Sequence, residues 1–246
     1  MLNVTARLDL MSKILDTLKA VVEEARFDFN ESSLHVRVVD PSHVAMIQMD
    51  IDSAAFDTWE LDETQLCFEI DLVRTVVGLG LPNELITFTH NEGTGMINVK
   101  LGNVESNIRS IDNSTINVPT LPSLDPDCKV NVSGQEFARI LRAARLGSDL
   151  VTFTISEKEF NVNAKGPSAD VQVKFQKDEL QSLECKKPSS SQYSLGYLHP
   201  LNKVLSGLET VEIGFGENYP LSLNFTFHDG AVEAQYFLAP RIESDM

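Results

Sequence analysis

The sequence has only three cysteines, Cys67, Cys128 and Cys185, spread over 246 residues with no Cys-x-x-Cys pair. An odd, scattered set argues against a zinc site or a disulfide framework and fits a reducing interior. There is one tryptophan, and no apolar run approaches the ~18 residues of a membrane-spanning helix, so no membrane partner is expected. Met1–Arg7 holds no apolar stretch of the kind a secretory leader carries. Positive charge is scarce as well: 20 Lys and Arg stand against 36 Asp and Glu, a formal charge of −16. Such a field opposes coating a polyanion with the outer surface, and it makes any local cluster of cations informative.

Catalytic signatures are equally thin. No G-x-S-x-G occurs, and the five histidines show no metal-ligand spacing. Asp40, Ser42 and His43 invite a hydrolase reading, but neighbours along an extended chain point to opposite faces. Gly93-Thr94-Gly95 reads as a hairpin turn, because no Gly-Lys-Ser/Thr follows it. The expectation is a protein that is not an enzyme and needs neither cofactor nor metal.

What stands out is a basic helix in this acidic chain. Three of the nine arginines, Arg139, Arg142 and Arg145, fall within residues 134–147. Ser133 is a candidate N-cap, Glu136 completes the spacing of a capping box, and Gly147 can close the helix. At ~100° per residue Phe137, Ile140, Leu141 and Ala144 share one face, with Arg139 and Arg142 opposite and Arg145 at the flank. For one such helix a solvated face explains the charges equally well.

The rest of the chain repeats the arrangement. Helical periodicity recurs over residues 9–23 (Leu10, Met11, Ile14, Leu15, Leu18, Val21, Val22), with Lys13 and Lys19 off the stripe and Asp9 and Asp16 sharing the polar side. It returns over 71–79, with Leu72, Val76 and Leu79 inward and Arg74 outward, and around 197–206, with Leu198, Leu201 and Leu205 opposite Lys203. Pro200 sits in the first turn of that last helix. Each helix leads into runs of period-two alternation, such as 34–39, 85–89, 150–154 and 222–227, that read as antiparallel strands. Residues 186–192 read as a polar, Ser-rich loop. The helix starts near 9, 71, 134 and 197 lie 62, 63 and 63 residues apart, a fourfold internal repeat. Prolines at 119, 122 and 126 mark an extended linker. The predicted organisation is therefore α+β, with two similar domains at 1–111 and 128–246 joined by a connector at 112–127.

Four equivalent helices on a sheet would gather their cations into one surface. Contacts from such a surface to phosphates are blind to base sequence and sensitive to salt. About seven cations are too few for tight binding, so topological closure, with the chain self-associating into a ring, would have to provide retention. The runs Val104–Ile111 and Asp170–Phe175 are candidate edge strands, with Ser106, Ile108, Ser110, Val171, Val173 and Phe175 as the interface residues.

Val39-Asp40-Pro41-Ser42-His43-Val44-Ala45-Met46-Ile47-Gln48, Ser133-Gly134-Gln135-Glu136-Phe137-Ala138-Arg139-Ile140 and Phe237-Leu238-Ala239-Pro240-Arg241-Ile242 carry a resemblance over essentially the whole chain. It resembles the sliding clamps of the proliferating cell nuclear antigen family, and more the archaeal than the eukaryotic members. The resemblance implies a DNA-clamp fold that trimerises into a pseudo-sixfold ring around duplex DNA. Lys13, Lys19, Arg74, Arg139, Arg142, Arg145 and Lys203 would then face DNA; where the family often has a second basic position after Arg74, Thr75 and Gly78 stand here. It implies a processivity factor in DNA replication and repair. DNA polymerase, flap endonuclease, DNA ligase and the clamp loader would be tethered through short motifs of glutamine and paired aromatics. The groove for those motifs would comprise Val39, His43, Val44, Met46, Ile116, Val118, Pro220, Phe237, Leu238, Ala239 and Pro240. Localisation would be cytoplasmic and nucleoid-associated, or nuclear in a eukaryote. The alternative reading is a peptide-binding scaffold, or checkpoint-like clamp subunit, of the same fold that does not encircle DNA.

Overall fold

The structure is a computed structural model that describes residues 1–90, 93–120 and 124–242; residues 121–123 of the expected connector lie outside it. The chain divides into two compact units, each discontinuous in sequence. The first comprises Met1–Pro41, Ile47–Thr120 and Phe227–Ala234. The second comprises Ser42–Met46, Leu121–Thr226 and Gln235–Met246.

In the first unit a five-stranded antiparallel sheet runs in the order β5 (Thr58–Leu61), β1 (Leu2–Arg7), β7 (Leu85–His90), β8 (Met96–Leu101) and β9 (Val104–Arg109). Beside it β6 (Thr64–Glu69), β2 (Glu24–Phe29), β3 (Ser33–Val39) and β4 (Ala45–Asp52) lie in that order. Helices α1 (Leu8–Lys19) and α2 (Ile70–Val77) pack side by side. α1 buries Leu10, Met11, Ile14, Leu15 and Leu18 of the expected stripe, together with Leu8, but it ends at Lys19, so Val21 and Val22 lie past the helix in a turn and are half-buried; Thr17 turns inward with its hydroxyl donating to Lys13 O at 2.7 Å. α2 departs from expectation. It starts directly off β6, so Ile70, Val73, Val76 and Val77 are buried, while Leu72 and Leu79 are 47% and 60% exposed. The apolar stripe is the i, i+3, i+7 set counted from Ile70, namely Ile70, Val73 and Val77, flanked by Val76, and it contains neither leucine.

The second unit repeats the plan. β14 (Ser182–Cys185), β10 (Cys128–Val132), β16 (Val211–Phe215) and β17 (Leu221–Phe227) lie side by side, and β18 (Val232–Leu238) closes the chain's strand list. A four-stranded sheet runs β13 (Asp170–Gln176), β12 (Glu159–Lys165), β11 (Leu150–Ile155) and β15 (Ser189–Ser194). β15 replaces the polar loop expected over 186–192. Its alternation is real, with Ser189, Ser191 and Tyr193 buried, but two of the three inward residues are serines and carry no apolar signal. Helix α3 (Gly134–Ala144) packs on two short helices, α4 (Leu195–Leu198) and α5 (Asn202–Leu205), separated by a tight 3-10 turn at His199–Leu201. One continuous helix was expected here, with Pro200 in its first turn. The segment begins at Leu195 instead, which places Pro200 well inside it, and the missing N–H and the ring clash divide the helix.

The four helical segments start at Leu8, Ile70, Gly134 and Leu195, at intervals of 62, 64 and 61 residues. Three follow directly on a strand, and α3 follows β10 after the single cap residue Ser133. In the first core Phe27 and Phe68 stack at 4.3 Å, whereas Phe153 in the second meets Phe137, Phe160, Tyr193 and Phe215 between 5.5 and 6.2 Å.

Candidate DNA-facing helices and partner groove

The cations sit where the helical period puts them, but their surroundings differ. Lys13 is half-buried, and its ammonium lies 5.4 Å from the centroid of the Phe227 ring. Lys19 is held by Glu23 and by Asp71, the latter at 2.5 Å. Burial opposes its charge, but the hydrogen bonds it donates to Asp71 and Glu23 together outweigh it and raise its pKa. Arg74 is clamped from two sides, to Asp16 at 2.7 Å and to Asp71 at 2.9 Å. Asp71 is in turn held below the usual carboxylate range, first by the Lys19 hydrogen bond and then by Arg74. Arg74 therefore does not project freely outward as its helical position suggested.

In the second unit Ser133 caps α3, its hydroxyl accepting from Glu136 N at 3.2 Å. The reciprocal half of the expected capping box is absent, because the Glu136 carboxylate pairs with Arg139. Arg142 and Arg145 are exposed, and among the described residues neither is in an ion pair. Lys203 is exposed on α5. Arg145 occupies the C-cap of α3, where the carbonyl end of the helix favours a cation.

Two of the candidate groove segments in the second unit meet. Ala239 N donates to Val44 O at 2.9 Å, tying the 42–46 segment to the end of β18. Val44, Met46, Pro220, Ala239 and Pro240 are half-buried, Phe237 and Leu238 are buried, and His43 is exposed in a left-handed conformation at φ 55°. Val39, Ile116 and Val118 are half-buried in the first unit. Beside Phe237 a cavity of about 320 Å³ is lined by Leu124, Pro126, Lys129, Ser222, Asn224 and Gln235, which the sequence reading missed. The missed signal is period two: Ser222 and Asn224 on β17, and Gln235 and Phe237 on β18, are each i, i+2 pairs on one face.

β9 and β13 are each an outer strand of their sheet, as are β5 and β15 at the opposite ends, so each leaves one backbone edge unpaired by its sheet. Ser106, Val171, Val173 and Phe175 are half-buried there, and Phe175 lies against Phe160. Ile108 is buried inside the unit, so at that position the edge offers backbone, not side chain. Ser110 lies beyond the strand end, bonded to Gly95 O.

One cluster has the outline of a triad, in a place the sequence reading did not consider. Ser33 Oγ lies 2.9 Å from His35 Nε2, and His35 Nδ1 lies 2.5 Å from Asp50 Oδ1. The adjacent N–H groups of Ser32 and Ser33 both donate to Asn30 Oδ1 at 2.9 Å, so they are not free to stabilise an oxyanion.

Two units of one plan, each pairing helices with antiparallel strands, define a clamp-type α+β protein. Models of the N-terminal and C-terminal domains of proliferating cell nuclear antigen match residues 3–120 and 120–241. The chain belongs to the proliferating cell nuclear antigen family. The DNA polymerase sliding clamp of Haloarcula marismortui is 29% identical over the full length of both chains, and that of Thermoplasma volcanium is 30% identical over 95% of this chain and 96% of its own. The solved structure of A. fulgidus PCNA bound to the C-terminal region of FEN-1 is 31% identical with a TM-score of 0.92, covering both chains fully. A PCNA2–PCNA3 complex from Sulfolobus tokodaii is 25% identical with a TM-score of 0.86, over 98% of this chain.

Proposed function

We propose that this chain is a DNA polymerase sliding clamp: a non-catalytic processivity factor that self-associates into a ring around duplex DNA and tethers replication and repair enzymes. The observation that carries the reading is the fourfold recurrence of strand, helix and hairpin, with cations on the side of each helix away from its buried stripe. The open edges β9 and β13 support head-to-tail association with further copies, through main-chain hydrogen bonds that need no special side chains. The exposed Arg142, Arg145 and Lys203 support weak, sequence-blind contact with phosphates, which permits sliding. The surface around Val44, Pro240 and Phe237 supports capture of a short extended peptide, with an apolar anchor and a polar side chain for the neighbouring cavity. Its partners would be a polymerase, a flap endonuclease, a ligase and a loader. In the cell it would work in the cytoplasm on the nucleoid.

The test is topological. Loaded onto nicked circular plasmid, the protein should stay bound in high salt, and linearising the plasmid should release it. Equal retention on circular and linear DNA would defeat the ring. The molar mass of the purified chain separates the non-encircling scaffold, which would remain a monomer.

A further inference from the structure

Two of the three cysteines, far apart in sequence, meet face to face. Cys128 on β10 and Cys185 on β14 are direct partners in the antiparallel register. Opposed residues in such a pair have Cα atoms about 4.5–5.5 Å apart, within the span a disulfide bridges. Their sulfur atoms lie 2.9 Å apart, and both thiols point at one acceptor, Lys187 O, at 3.1 and 3.2 Å. Cys128 is buried, Cys185 is half-exposed, and β14 is an outer strand. One thiol can be reached from solvent, and the second waits behind it.

We propose that Cys128 and Cys185 are a reversible dithiol–disulfide pair whose oxidant is a low-molecular-weight disulfide. The Cys185 thiolate attacks one sulfur of the small disulfide, forming a mixed disulfide and releasing one small thiolate. The Cys128 thiolate then attacks Cys185 Sγ and releases the second. Two protein thiols are oxidised, one small disulfide is reduced to two thiols, and the two protons leave with them. Burial, together with the neighbouring Cys128 thiol, pushes the Cys185 thiol up to about 12. The exchange is therefore slow at neutral pH and accelerates about tenfold per pH unit as thiolate forms.

The bridge would act on the end of the connector. Lys186 N donates to Asp127 O at 2.9 Å and Lys186 Nζ reaches Asp125 at 3.3 Å, so the residues flanking the two cysteines already hold each other. Pro126 and Lys129, on either side of Asp127 and Cys128, line the cavity beside Phe237. Oxidation thus stiffens one wall of the candidate peptide site. It also closes a 57-residue separation in the unfolded chain, which shifts the unfolding equilibrium of this unit by roughly three orders of magnitude.

The full-length protein is incubated with excess oxidised glutathione at mildly alkaline pH, and thiols are counted after denaturation. Free thiols should fall from three to one. A cross-linked 128–185 peptide should be recovered, and dithiothreitol should reverse both. Cys67→Ser should still lose two thiols, and Cys185→Ser, at the half-exposed edge, should form no bridge. Amide exchange at Lys129 and across β14 should slow at least tenfold in the oxidised form. Three persistent thiols, a glutathione adduct on Cys185 that Cys128 never resolves, or a bridge only between separate chains would overturn the pairing. A bridge that leaves exchange at Lys129 unchanged would overturn its effect on the connector.

Discussion

The helices of the two units come from one repeated design but present different electric faces. α1 and α2 together hold Asp9, Asp16 and Asp71 against Lys13, Lys19 and Arg74, which sums to zero. α3 with its cap residue Arg145, and α5, hold Glu136 against Arg139, Arg142, Arg145 and Lys203, a net charge of +3. In the first unit the carboxylates are not bystanders. They bind two of the three cations directly. A cation at the right helical phase is thus a necessary feature of a phosphate-binding face, not a sufficient one. The attraction for DNA should come mostly from the second unit.

The cores differ in the same direction. Phe153 touches four aromatic rings in the second unit, while the first relies on the single Phe27–Phe68 stack and on a tilted group around Trp59. Phe153→Ala should cost about 4 kcal/mol in chemical denaturation, because the buried rings around it cannot collapse into the space. A loss under about 1 kcal/mol would mean the cluster is plastic. Next in size is the double reversal Arg142→Glu with Arg145→Glu. It should weaken DNA binding by roughly tenfold or more at low salt and reduce the magnitude of the salt slope by about two. Peptide binding should not change. An equal loss from reversing Lys13 and Arg74 would erase the proposed asymmetry between the units.

Helix capping offers a smaller contrast. α3 has Ser133, whereas Arg7 and Glu69 precede α1 and α2 with no side-chain cap. Ser133→Ala should cost about 1 kcal/mol, read from the denaturation midpoint. Glu69→Ser should stabilise by about 0.5 kcal/mol, since it adds a cap and also removes a like-charge pairing with Glu24 across the strands. A destabilising Glu69→Ser would show that the α2 N-terminus draws more from that acid than from a cap.

The sequence was legible where burial uses apolar residues. The stripes of α1 and α3, the period near 63 and the alternating runs 104–111 and 170–175, which contain β9 and most of β13, follow from apolar residues at recurring spacing. It was opaque where burial uses something else. β15 hides two serines, so its alternation has no hydrophobic trace. α2 shows Leu72 to solvent and buries valines, and Leu79 is exposed just past its end, so size misled where phase from the strand end would not have. At the sites, position along a helix gave the place of each cation but not its partner. Asp16 and Arg74 are 58 residues apart, and only the packing of α1 on α2 brings them together. The Cys128–Cys185 pairing and the cavity beside Phe237 likewise depend on strand register, which no local pattern encodes.

Asp71 gives the finest test of the charge comparison. Its carboxyl titrates below the usual range because Lys19 and Arg74 bind its ionised form. The folded state therefore favours the charged form more than the unfolded chain does. The resulting stabilisation is complete above the ordinary aspartate value near 4 and is lost as pH falls through the lowered one. Asp71→Asn should remove that part of the acid limb and leave the neutral-to-alkaline range nearly flat. At neutral pH the same substitution leaves Arg74 with Asp16 alone and gives the α1–α2 face a charge of +1. DNA binding should then strengthen by a few-fold, with a steeper salt slope, because a cation formerly neutralised within the protein becomes available to phosphate. An acid limb that vanishes without any gain in DNA affinity would separate the two roles. The carboxylate would then stabilise the helix pair without screening DNA, and the first unit's helices would have to lie away from the duplex.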